Sequence, residues 1–180
     1  MMFFSWASRV SFLSTHSVLY IILVRVTKNN LLALIPWLSA EWSVSLKVRL
    51  YDEDTSYGDH GYCNIAEFKV GGNGLKYGSD TLIIMMGKAK FLRIVSKSIH
   101  DQQSIPIPSL VVDQPVHIEV HQRYIYGGKY RYTIDVDGVN YASKVVTDAQ
   151  QYFDVKVYAS ENNREACHIY VSDFKLTNFL

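Results

Sequence analysis

Residues 115–143 read PVHIEVHQRYIYGGKYRYTIDVDGVNYAS, and their alternation decides the fold class. Val116, Ile118 and Val120 alternate with His117, Glu119 and His121. After Gly127 and Gly128 the pattern resumes, with Tyr130, Tyr132, Ile134 and Val136 set against Arg131, Thr133 and Asp135. Asp137 and Gly138 interrupt it, and Val139, Tyr141 and Ser143 then share one side of the next run. A period of two gives each strand one buried face and one wet face. Gly-Gly and Asp-Gly supply the positive φ angles of tight hairpins. The stretch is therefore a three-strand antiparallel meander.

The same signal recurs on both sides. Upstream, Trp42, Val44, Leu46, Val48 and Leu50 alternate with Ser43, Ser45, Lys47 and Arg49, a half-buried strand within 41–51. Residues 31–38 form a short apolar run containing Pro36, which suits an edge or a strand end. Residues 63–70 read as a strand of imperfect alternation. Residues 81–86 are continuously apolar, as in a strand covered on both sides, and 90–96 are their partner. Downstream, 153–159 alternate again and 167–180 close the chain with a strand-like HIYVSDFKL. No stretch carries a 3.6-residue stripe. Short strands at this spacing, with turn signals between them, predict an all-β sandwich or barrel.

A chain of 180 residues holds one full-sized domain, or a domain with a short extension. Lys and Arg number 18 against 17 Asp and Glu, so no electrostatic footprint for nucleic acid exists. Residues 1–26 form the extension. Arg9 precedes a mostly apolar run to Val24, the outline of a secretory signal or signal anchor, or else a disordered leader. Serines and His16 dilute the run, and a spanning helix needs about 20 apolar residues. The sandwich is expected over 27–180, outside the cell or tethered to a membrane only through that extension. Cys63 and Cys167 are the only cysteines, and one disulfide or two core thiols both fit the sequence.

Four segments together resemble a known family: EWSVSLKV at 41–48, IAEFKVGGNGLKYGSD at 65–80, VHIEVHQRYIYGGKYRYTIDVDGV at 116–139, and VKVYAS with IYVSDFKL near the end. They are similar to a laminin G-like domain of the concanavalin A-like lectin/glucanase superfamily, over about residues 29–180. The resemblance implies an antiparallel jelly-roll sandwich of two curved sheets, about six or seven strands each. It also implies binding of glycans or extracellular proteins, sometimes with calcium. The glucanase branch carries a Glu-x-Asp-x-x-Glu strand motif that this chain lacks, since Glu67 and Glu119 stand without such partners. The expectation is a carbohydrate-binding or adhesion-type module with no enzyme activity. A structural protein–protein interaction module is the alternative, and a glycoside hydrolase of the same superfamily comes third.

Site signals are sparse. His117, Glu119 and His121 share a strand face, but positions two apart are about 7 Å distant and four apart about 13 Å, too far for one ion on a straight strand. Asp52, Asp54 and Asp59 crowd one loop, where hard oxygens suit Ca²⁺. A soluble turn using Asp for its backbone bonds is the preferred alternative. Calcium is thus the only cofactor raised. The remaining signal is aromatic. The loops Gly71–Asp80 and Tyr124–Tyr130 are glycine-rich and carry tyrosines, which can stack on the C–H face of a sugar. Asn73, Lys76, Tyr77 and Asp80 from one loop, with Arg123, Tyr126 and Lys129 from the other, form the expected ligand-binding set. Against it, tyrosine also favours strands for their own sake.

Overall fold

A computed structural model describes residues 9–13, 16–52, 57, 61–70, 80–96, 109–160 and 165–179. It is an all-β jelly-roll sandwich of two antiparallel sheets. The strands are β1 (Arg9–Leu13), β2 (His16–Arg25), β3 (Leu31–Leu38), β4 (Trp42–Leu50), β5 (Tyr62–Val70) and β6 (Asp80–Gly87). They continue as β7 (Leu92–Ser96), β8 (Pro115–Tyr126), β9 (Lys129–Val136), β10 (Val139–Val146), β11 (Tyr152–Tyr158) and β12 (Ile169–Phe179). One sheet has the order β1-β2-β12-β4-β8-β9-β10 and the other β3-β11-β5-β6-β7. The second sheet has five strands among the described residues, fewer than the resemblance implied.

The meander is β8–β9–β10, as its alternation predicts. Asp137 at φ 49° and Gly138 at φ 77° make the β9–β10 turn, and Gly127 and Gly128 take the same role between β8 and β9. Two successive positive φ angles match the right-handed twist of the flanking strands. Pro36 sits in β3, an edge strand, where its missing N–H removes no ladder bond. β6 is buried along both faces, which explains its unbroken apolar run.

The alternating apolar residues meet between the sheets. Val44, Leu46 and Val48 of β4, Ile118 and Val120 of β8, and Tyr132 and Ile134 of β9 are all fully buried. They face Phe68, Leu82, Ile84, Val155 and Val157 of the other sheet in one core cluster. Phe68 stacks on Phe174 of β12 across the layers, ring centroids 6.1 Å apart. The Asn178 side chain also ties the sheets: its Oδ1 accepts from Ser39 N–H and its Nδ2 donates to the Trp37 carbonyl, both at 2.8 Å.

Strand structure extends upstream of the expected boundary. The sequence places the start of the sandwich at Thr27, yet β2 pairs with β12 from Arg25↔Tyr170 to His16↔Phe179 and is an inner strand of the larger sheet. The apolar run Val18–Val24 that suggests a leader is strand in the fold. A short apolar run does not reveal by its periodicity whether it is strand or helix. Among the described residues no helix is long and apolar enough to cross a membrane.

The cysteine question is answered as well. Cys63 of β5 and Cys167, just before β12, form a disulfide buried in the core that closes 104 residues of chain. Backbone bonds flank it, from Asn64 N–H to the Glu165 carbonyl at 2.8 Å and from Cys167 N–H to the Asn64 carbonyl at 3.0 Å.

Two stability measurements check this architecture. Gly138→Val places a β-branched residue at positive φ and should destabilise the domain by about 1 kcal/mol or more in a urea melt. Closing a loop of this length removes much unfolded-chain entropy, so Cys63→Ala with Cys167→Ala should lower stability by about 4 kcal/mol. A midpoint that does not move in either variant contradicts the turn or the bridge concerned.

Candidate functional site

Strands β4, β8, β9 and β12 of the larger sheet bury one face and turn a largely polar one outward. Outward residues are Ser43, Ser45, Lys47 and Arg49 of β4, and His117, Glu119, His121 and Arg123 of β8. Arg131, Thr133 and Asp135 of β9 and Tyr170, Ser172 and Lys175 of β12 join them, with Thr177 buried on the same side. Register arranges these in rows across the strands, such as Lys175–Ser45–Glu119–Asp135 and Thr177–Ser43–His121–Thr133.

Contacts along the face are specific. Ser45 Oγ and His117 Nε2 are hydrogen-bonded at 2.8 Å. Lys47 Nζ lies 2.9 Å from Asp173 Oδ2, and that carboxylate holds the Lys47 ammonium above the ordinary lysine range. His121 Nε2 is 3.9 Å from Glu119 Oε1. Asn140 Nδ2 donates to Asp135 Oδ1 at 2.8 Å. The strand row His117, Glu119, His121 is therefore engaged with its own neighbours. No three His, Cys, Asp or Glu side chains among the described residues could hold a metal ion together. Asp52 is 3.3 Å from His168 Nδ1, while Asp54 and Asp59 lie outside the described residues.

At one end of this face stands a cluster that the sequence does not reveal. Tyr51 stacks on His168 with centroids 5.5 Å apart and tilts against Tyr170 at 4.9 Å. Arg25 donates from Nε to Tyr51 Oη at 2.8 Å, its guanidinium 4.8 Å from the ring centroid. Arg49 lies over Tyr170 at 5.4 Å. These residues come from β2, β4, the residue after β4, and the start of β12. Alternation shows that Arg49 and Tyr170 point outward, but not that β12 lies between β2 and β4.

The hairpin half of the expected loop site lies at the opposite end. Val70 pairs with Val155 and Leu38 with Tyr152, and Gln122 Nε2 donates to the Ala40 carbonyl at 2.7 Å. The strand ends that flank 71–79 thus share an end of the sandwich with the β8–β9 hairpin. Asp80 opens β6 opposite Lys69. Asn73, Lys76 and Tyr77 lie outside the described residues. In the hairpin, Arg123 is held by Glu41 at 3.0 Å and lies 3.8 Å over the Phe179 ring. Lys129 is 5.4 Å from the Tyr126 centroid, and Tyr124 meets Tyr130 edge to face at 5.6 Å. Tyr124 and Tyr126 are half or more exposed. Nearby Tyr132 is fully buried, and burial raises its phenol pKa well above the usual value.

No protein-family model matches the chain, and no curated protein is similar to it. Solved structures share its fold. A Trypanosoma rangeli sialidase in complex with the inhibitor DANA aligns with a TM-score of 0.53 and 12% identity, over 91% of this chain and 27% of its own. An endo-β-1,4-glucuronan lyase from the fungus Trichoderma reesei aligns at 0.52 and 12%, over 97% and 86%. A heptameric SAP-like pentraxin from Limulus polyphemus aligns at 0.52 and 14%, over 90% and 75%. This chain thus spans about a quarter of the sialidase. At such identities the likeness is one of fold alone, an antiparallel two-sheet β-sandwich.

That likeness overturns the expectation of no enzyme activity. A lyase is built on this sandwich, and a sialidase contains it within about a quarter of its length. The missing Glu-x-Asp-x-x-Glu motif speaks only to the glucanase branch and does not exclude catalysis on this fold.

The hairpin tip supports a direct test of preformed geometry. An edge-to-face aromatic pair contributes about 0.5–1.5 kcal/mol beyond its buried area. A double-mutant cycle of Tyr124→Ala and Tyr130→Ala should return a coupling in that range. A coupling of zero would mean the two rings do not hold each other in solution.

Proposed function

We propose that this chain is a carbohydrate-recognition sandwich that holds sugar on the outer face of its seven-stranded sheet. The observation that carries this reading is the face itself. Four adjacent strands present Ser, Thr, His, Lys, Arg and Glu side chains in register on a rigid surface, with tyrosines at its margins. Hydroxyls need donors and acceptors in about equal measure, and this set supplies both. Aromatic rings at the ends offer stacking partners for pyranose C–H faces. The sandwich fold is shared with a glucuronan lyase, a sialidase and a pentraxin, which supports the reading without assigning a substrate.

Two finer placements belong to the same proposal. Within the concanavalin A-like sandwiches we place the chain nearest the laminin G-like domains, on the strand and turn pattern of its sequence. We place it outside the cell, because the buried Cys63–Cys167 disulfide suits an oxidising compartment. Its partner is then a glycan or a glycosylated surface. The hairpin carrying Tyr126 and Lys129 stands at one end of the same sheet and extends the contact area.

A panel of neutral and acidic polysaccharides tests the reading, with binding followed by affinity electrophoresis and cleavage by the fall in polymer size. At least one polysaccharide should bind. His121→Ala and Lys175→Ala should each weaken that binding about fivefold or more, the worth of a lost hydrogen bond at about 1 kcal/mol. Tyr126→Ala should weaken it less, because the hairpin lies at the margin. Absence of binding across the panel, or equal binding by both face variants, would sink the proposal.

A further inference from the structure

Four arginine and lysine side chains on the larger sheet are held by neighbours in two different ways. Lys47 is paired with Asp173 and Arg123 with Glu41, so acids neutralise them. Arg25 and Arg49 have no acidic partner among the described residues, and tyrosine rings hold them instead. Arg25↔Tyr170 and Tyr170↔Arg49 are cross-strand neighbours on β2, β12 and β4, so the three side chains form one row on one face. Antiparallel strands are about 4.8 Å apart, which sets the two arginine backbones about 10 Å apart with a phenol ring between them. Both arginines are exposed and the ring is half-buried.

Stacking on an aromatic face orients a guanidinium without cancelling its charge. Arg25 uses Nε on Tyr51 Oη and keeps its two terminal nitrogens for another acceptor. Asp52, the residue after Tyr51, lies 3.3 Å from His168 Nδ1. The row is thus a pair of oriented cationic forks that no acid among the described residues neutralises.

We infer that Arg25, Tyr170 and Arg49 form a subsite for the carboxylate groups of a polyuronate chain lying across β2, β12 and β4. This rests on the carbohydrate reading above and narrows it to an acidic polysaccharide. A guanidinium fork matches the two oxygens of a carboxylate. A uronate carries its carboxylate directly on the ring carbon. One sugar can therefore lie along this row with its carboxylate close enough to reach an arginine on the neighbouring strand. A sulfate ester projects farther from the ring and presents a tetrahedral group, which fits this short spacing less well.

Calorimetry with the full chain and β-1,4-glucuronic acid oligomers tests the assignment, with neutral β-1,4-glucose oligomers and a sulfated dextran as comparisons. The glucuronic acid oligomer should bind most tightly, and its affinity should fall about tenfold from about 50 to about 500 mM NaCl as exposed charges are screened. R25Q and R49Q together should weaken it about tenfold or more, while binding of a neutral oligomer changes less than about twofold. K156Q, on the exposed side of β11 in the other sheet, should leave it unchanged. Near-ultraviolet circular dichroism checks that each variant is folded, and R49Q alone serves if the double variant is not. Three results overturn the subsite while the wider carbohydrate reading stands: unchanged affinity in R25Q/R49Q, equal binding of neutral and acidic oligomers, or tighter binding of the sulfated polymer. Absence of binding to every sugar overturns both.

Discussion

A β-strand has two faces, and the structure depends on how each sheet divides them. In the central strands β4, β8 and β9 of the seven-stranded sheet the division is strict. Val44, Leu46 and Val48 are wholly buried, while Lys47 and Arg49 between and beyond them are exposed. In the five-stranded sheet it breaks down, because β5 and β6 are buried on both faces. Glu67 and Lys69 of β5 form a buried ion pair at 3.5 Å, and Asn64 Nδ2 donates to Glu67 at 3.0 Å. Two buried charges are tolerable only when they compensate each other and their remaining hydrogen bonds are made. Among the described residues, the open side of β4, β8, β9 and β12 is thus the broadest polar face available for recognition.

Much of this was legible in the sequence. Where one face is buried and one wet, as in β4, β8 and β9, the period of two is written into residue types. The turn at Asp137 and Gly138 was legible because few residues accept positive φ. β2 was not legible as strand, since its apolar run Val18–Val24 has no alternation to distinguish it from a leader. β5 alternates poorly for a physical reason: it is covered on both sides and has no wet face to mark. The candidate site was legible only at its hairpin. Arg123, Tyr126 and Lys129 lie close in sequence, so glycine and tyrosine content pointed to them. Arg25, Arg49 and Tyr170 meet only because the C-terminal strand inserts between two N-terminal ones. Single-strand patterns carry no information about that order.

The disulfide takes on a second meaning in this light. Cys63 belongs to the five-stranded sheet, and Cys167 immediately precedes the first residues of the aromatic cluster. The bridge and its flanking backbone bonds fix the entry of β12 against the other layer. His168 and Tyr170 follow within three residues, so their rings are positioned by a covalent link as well as by the ladder with β4. The bond that stabilises the domain against unfolding thereby also limits motion at one end of the open face.

That rigidity bears on recognition. Ordering a long side chain on binding costs about 0.5–1.5 kcal/mol for each one immobilised. Arg25 and Arg49 already lie against tyrosine rings in the free protein, and those rings are held by neighbouring rings and by strand register. Part of the entropy that a flexible surface arginine would lose on meeting an anion has therefore been lost during folding. The hairpin tyrosines are ordered by a single edge-to-face pair at the end of a two-stranded ribbon. Of the two aromatic ends of this sheet, the one built on β2, β12 and β4 is the better preorganised for a charged ligand, and the hairpin is the more adaptable.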